Sequence, residues 1–61
     1  MELTQIAGGD CGSDDCPTIF TTDKGTIAVQ GHIVRRKTST GEAVVEIPIA
    51  VFREAARALG G

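Results

Sequence analysis

The stretch TIFTTDKGTIAVQ, residues 18–30, constrains this chain more than any other. Thr, Ile, Phe and Val favour the pleated, half-buried surface of a strand. Asp23-Lys24-Gly25 between the two runs suits a three-residue hairpin loop with glycine at the left-handed position. A β-hairpin is therefore expected, with Ile19 and Thr21 on one face and Phe20 and Thr22 on the other. Across the turn, Ile27 and Val29 share a face.

After this hairpin the pattern stays extended and then changes period. Gly31 interrupts the second strand, which suggests a bulge or a close backbone approach. HIVRR continues extended, KTSTGE is a polar turn around Gly41, and AVVEI is a further strand. In PIAVFREAARALGG, Val51, Phe52, Ala55, Ala56 and Leu59 recur at helical spacing as one apolar stripe. Arg53, Glu54 and Arg57 fall largely outside it. Pro48 suits a first helical turn, and Gly60-Gly61 ends the helix. No Ser, Thr, Asp or Asn caps its start. A helix of about eleven residues is marginal alone and must dock on the sheet or on a second subunit.

The expected fold is α+β: a small three- or four-stranded antiparallel sheet with one C-terminal helix, as a single small domain over residues 1–61. Residues 1–15 read as a loop-rich acidic segment, although Leu3 and Ile6 allow an edge strand or an unfixed arm. A domain of this size buries only about 60% of the surface its unfolded chain exposes. Phe20 and Phe52 are its only Phe, Tyr or Trp residues, so the core falls to Ile, Val, Leu and Ala. Small domains of this kind add a disulfide, a metal or a partner subunit, and a homodimer is expected here.

Charge is unevenly placed. Residues 1–23 carry five acidic residues and no Lys or Arg, while residues 24–61 carry six basic residues against three acidic ones. Such asymmetry steers a partner or a second copy, or is plain solvated surface. The balance is not that of a dedicated nucleic-acid binder, which shows a basic domain. No run approaches the ~20 apolar residues of a membrane span. MELTQIAGGD lacks the charged and apolar regions of a secretory signal, so a cytoplasmic location and no membrane are expected.

GGDCGSDDCP, residues 8–17, is the one stretch that suggests chemistry. Zinc takes four ligands, commonly Cys and His, and the chain offers Cys11, Cys16 and His32. The C-x4-C spacing lies outside the more specific C-x2-C type, and there is no second cysteine pair. A disulfide is open geometrically but needs an oxidising setting. Asp10, Asp14 and Asp15 oppose an activated thiolate, because nearby negative charge raises a thiol pKa. The expectation is two reduced thiols, with Cys16-Pro17 at the entry to the first confident strand. DCGSDD offers oxygen ligands without the spacing of a calcium loop or its closing Glu. His32 reads as structural or surface. Arg35, Arg36 and Lys37 either bind phosphate, DNA or an acidic face, or are solvated. No nucleophile–base pair and no phosphate-cradling loop is present, so no cofactor and no enzyme activity are expected.

CPTIFTTDKGTIAVQG followed by EAVVEIPIAVFREAARAL resembles the small actinobacterial regulatory proteins of the BldB type. The matching pieces over residues 16–59 are Cys16, Ile19, Ile27 to Val29, Val44 to Ile47, and Phe52. Phe52 stands at the family's usual tryptophan position, and Gln30-Gly31-His32 replaces its typical Arg-Asp-Ser stretch. The resemblance implies a small dimeric partner of helix-turn-helix regulators acting in transcription regulation, not an enzyme. VEIPIAVFREAARAL is also similar to the strand-Ile-Pro-helix segment of AbrB-like swapped-hairpin transcription factors and antitoxins. That second resemblance implies a dimer that sets basic strand residues against DNA. In those proteins, further strands follow the helix, whereas this sequence ends at Gly61. Arg35, Arg36, Lys37, Val51 and Phe52 are the candidate partner-binding residues.

Overall fold

The structure, a computed structural model, describes residues 1–9 and 16–61. The expected hairpin is its centre. Strands β2 (Thr18–Thr22) and β3 (Ile27–Gln30) pair antiparallel with Ile19 opposite Val29 and Thr21 opposite Ile27. The loop closes as its residues dictate. Gly25 sits at φ 78, where a side chain would be strained. The Thr22 N–H donates to the Thr26 carbonyl at 2.9 Å, and the Gly25 N–H to the Thr22 carbonyl at 3.2 Å. The hydroxyls of Thr22 and Thr26 share a further hydrogen bond of 2.6 Å.

Residues Leu3–Gly8 form a full strand, β1, antiparallel to β2. The loop-rich reading of 1–15 is corrected over Leu3–Gly8, where the edge strand that Leu3 and Ile6 allow is what forms: Leu3 pairs with Thr22, Ile6 falls at a break in the register, and the strand order is β1-β2-β3. The register shifts between Gln5 and Ala7. This bulge brings Ala7 opposite Ile19, so Ala7, Ile19 and Val29 lie in one row across the three strands.

Helix α1 (Ile49–Ala58) packs on that face, over β1 and, to a lesser extent, β2. Pro48 is its N-cap, extended at ψ 142, and no side chain caps the N-terminus. Its other end is a Schellman motif. The Gly60 N–H donates to the Arg57 carbonyl and the Gly61 N–H to the Ala56 carbonyl, with Gly60 at φ 86. The core beneath α1 is Ala7, Ile19 and Ala55, with Ile6, Ile47 and Val51 packed against it. The expected apolar stripe is only half used. Val51 and Ala55 face the sheet, while Phe52 is 62% exposed and Leu59 57%. The helix sits low on small Ala55, and its larger residues fall on the flank.

Beyond β3 the chain leaves the sheet. Gly31 is the reason it can: a Cβ there would strike the Glu46 carbonyl oxygen and crowd Ile47. β4 (His32–Val34) then pairs antiparallel with β5 (Val44–Glu46) as a separate two-stranded ribbon. The ribbon packs mainly on itself. The radius of gyration is accordingly 12.0 Å, against about 10.5 Å for a compact domain of this length. The fold class is α+β with a small antiparallel sheet, a two-stranded ribbon and one C-terminal helix.

Candidate functional site

The loop that suggested chemistry divides at its second cysteine. Cys11 and its aspartate neighbours Asp10, Asp14 and Asp15 lie outside the described residues. Cys16 is buried and disulfide-bonded, which corrects the expectation of reduced thiols. Its carbonyl oxygen accepts the Thr18 hydroxyl at 2.8 Å and the Gln30 side-chain amide at 2.8 Å. These bonds tie the entry of β2 to β3 and satisfy the buried hydroxyl of Thr18. A sulfur in a disulfide is no thiolate, so Cys16 in this state does not ligate zinc. His32 is exposed and stands opposite Glu46 on the neighbouring strand. Pro17, Ile47 and Pro48 complete an open groove there of ≈ 320 Å³. Among the described residues no cluster of three or more His, Cys, Asp or Glu side chains has the arrangement of a metal site.

The basic residues fall in the loop that follows β4. Arg35, Arg36 and Lys37 follow β4 and are all exposed. The loop after them is ordered by the Thr38 hydroxyl donating to the Glu42 carbonyl at 2.9 Å and the Glu42 N–H donating to the Ser39 carbonyl at 3.0 Å. Arg36 and Lys37 line an open groove with Thr38, Ser39, Glu42 and Val44. The ribbon thus carries the three cations on a projecting loop, a geometry suited to an acidic face or a phosphate backbone.

Val51 and Phe52, adjacent in sequence, are separated by the fold. Val51 is half-buried against the core, and Phe52 points away from it. Glu54 marks the helix flank at β1, since its Oε1 accepts the Gly8 N–H at 3.4 Å. At about 100° per residue, Phe52 lies roughly 160° around the helix from Glu54, on the opposite flank. On β3 the sheet is less covered: Ile27 is 47% exposed and Val29 43%. Ile27 and Val29 continue the row Ala7–Ile19–Val29 that α1 covers at its other end; Phe52 is exposed on the helix, as are Met1, Leu3, Ile33, Ile49 and Leu59 elsewhere. Sequence reading placed Ile27 and Val29 on a common face but missed their exposure. The signal available was the small number of apolar side chains in one short helix to cover three strands.

Compared with known protein families, curated proteins and solved structures, the chain finds no match. Among the described residues no helix is long and apolar enough to cross a membrane.

Proposed function

We propose that this chain is a non-enzymatic regulatory protein that acts by protein–protein association, as a homodimer and as the partner of a helix-turn-helix transcriptional regulator. The observation that carries association is the exposed apolar surface of Ile27, Val29 and Phe52 beside a core of very small side chains. Ile27 and Val29 are neighbours on one sheet face, and exposed apolar surface of that kind on a small chain marks an interaction site. The regulator as partner rests on the resemblance to BldB-type proteins. Affinity capture from the native cell tests it, with binding to the purified regulator as the direct measurement. A helix-turn-helix regulator retained by the wild type and lost with Phe52→Asp is expected. Retention of nucleic acid alone would overturn this reading.

A second reading, an AbrB-like DNA-binding dimer, is favoured by one observation: Arg35, Arg36 and Lys37 stand exposed on the projecting ribbon. It requires a salt-dependent mobility shift on DNA that Arg35→Ala and Arg36→Ala each weaken. No shift at low salt would remove it. We place the regulatory role in the cytoplasm, where reducing systems act on disulfides. Thiol trapping in the native cell reads the state of Cys16; a fully oxidised protein there would move the role to an oxidising compartment.

A further inference from the structure

Helix α1 carries two apolar stripes, and the sheet takes one of them. Val51 and Ala55 face the core. At about 100° per residue, Ile49, Phe52, Ala56 and Leu59 fall within an arc of about 80°, centred about 100° around the helix from that pair. Ile49, Phe52 and Leu59 are all exposed, Ile49 by 68%. Leu59 still follows the helical path, since its N–H donates to the Ala55 carbonyl at 3.0 Å. The intervals along this second stripe are three, four and three residues, the spacing of a seam between two helices. The other exposed large apolar residues share no such line: Met1 and Leu3 lie at the start of β1, Ile27 and Val29 on β3, and Ile33 on β4.

The order of sizes along the stripe selects what covers it. Ile49 is large, Phe52 larger, Ala56 small and Leu59 large. Set antiparallel against a copy of itself, the stripe places each Phe52 over an Ala56 and each Ile49 beside a Leu59, because both pairs are centred on position 54. Set parallel, it drives Phe52 against Phe52 and leaves a gap between two Ala56 residues. Close packing without crowding or voids favours the antiparallel arrangement. The stripe itself holds no charge. Arg53 falls on its rim, and Glu54 lies on the far side of the helix, where it accepts the Gly8 N–H.

We infer that two copies of this chain associate through α1, antiparallel across a two-fold axis at the level of Glu54, with Phe52 of each copy seated on Ala56 of the other. This rests on the homodimer of the proposed function and gives that dimer its surface. The interface is isologous, the same four residues serving on both sides. The seam is only about 15 Å long, which places the dimer among small, weakly associating interfaces.

The test uses the full chain in sedimentation and methyl-resolved NMR. The wild type is expected to approach twice its chain mass at high micromolar concentration. Ile49 and Leu59 lie about 15 Å apart along one helix, so a contact between their methyl groups arises only between antiparallel copies, and that contact is expected. Phe52→Asp, at an exposed position, is expected to stay folded by circular dichroism and to raise the dimer dissociation constant at least about 100-fold, as an unpaired charge buried in an interface does. Ala56→Phe should also loosen the dimer, by setting two rings against each other, and Phe52→Ala combined with Ala56→Phe should restore it by exchanging the two sizes. A dimer without the Ile49–Leu59 contact, one that Phe52→Asp leaves intact, or a double variant no tighter than Ala56→Phe overturns this interface while leaving the homodimer standing. A wild type that stays monomeric overturns both. Should a variant unfold, the Ile49–Leu59 contact in the wild type decides by itself.

Discussion

Ile19 and Val29 face each other across adjacent strands, on the same side of the same sheet, with similar side chains. One is 3% exposed and the other 43%. The difference lies in what sits above them. α1 packs chiefly over β1 and less over β2, so the apolar row is a core at one end and a surface at the other. A ten-residue helix carrying small Ala55 at its contact face is too narrow to cover three strands. The covered end holds the chain together, and the open end is free to hold something else.

Substitutions along this row and at its margins break or sharpen the contrast. The largest effect is expected at the covered end. Ile19→Ala removes the largest side chain of the buried core and should cost about 2–5 kcal/mol, enough to leave the chain mostly unfolded in a denaturant titration; a loss below about 1 kcal/mol would show that α1 does not seal Ile19. Next is the disulfide beside it. Reducing the Cys16 bond, or replacing Cys16 by Ala under matched conditions, should cost about 2–4 kcal/mol. The readout is a lower thermal midpoint with reductant present, and an unchanged midpoint would mean that the Cys16 carbonyl contacts alone secure the entry of β2.

Gly31 lies where the row ends and the ribbon departs. Gly31→Ala forces a methyl against the Glu46 backbone and should cost about 1–3 kcal/mol, with chemical-shift changes concentrated at β4 and β5. Changes confined to β3 would contradict the close approach. The smallest effect is expected at the open end. Phe52→Ala should cost less than about 1 kcal/mol in dilute protein, against the ~3–5 kcal/mol of a buried ring. The loss should grow with protein concentration, because binding adds to stability only when the bound state is populated. A large loss in dilute monomer would place Phe52 in the core and erase the difference between the two ends.

The turn, the strands and the helix end were readable because their causes are local. Asp23-Lys24-Gly25 closes its hairpin with neighbours only a few residues away, and Gly60 and Gly61 end α1 by donating to the Arg57 and Ala56 carbonyls respectively. Gly31 was readable as a point of close approach, although not as the branch between sheet and ribbon. The state of Cys16 was not readable. The same residues suit a thiol or a disulfide, and the choice depends on redox setting and on the distance between sulfurs. Nor did the helical period separate Val51 from Phe52, since both belong to one broad stripe.

Alternating and helical periods are set residue by residue, so this sequence alone specifies an antiparallel hairpin, its loop, a further strand after a polar turn and a short terminal helix. Where that helix lands is decided by packing between distant segments: the β1 bulge that brings Ala7 beside Ile19, and the fit of Ala55 above them. Only that docking half-buries Val51, leaves Phe52 on the flank, and leaves Val29 as exposed surface. Burial is a relation between elements, and a local pattern names the apolar residues without naming which of them another element will cover.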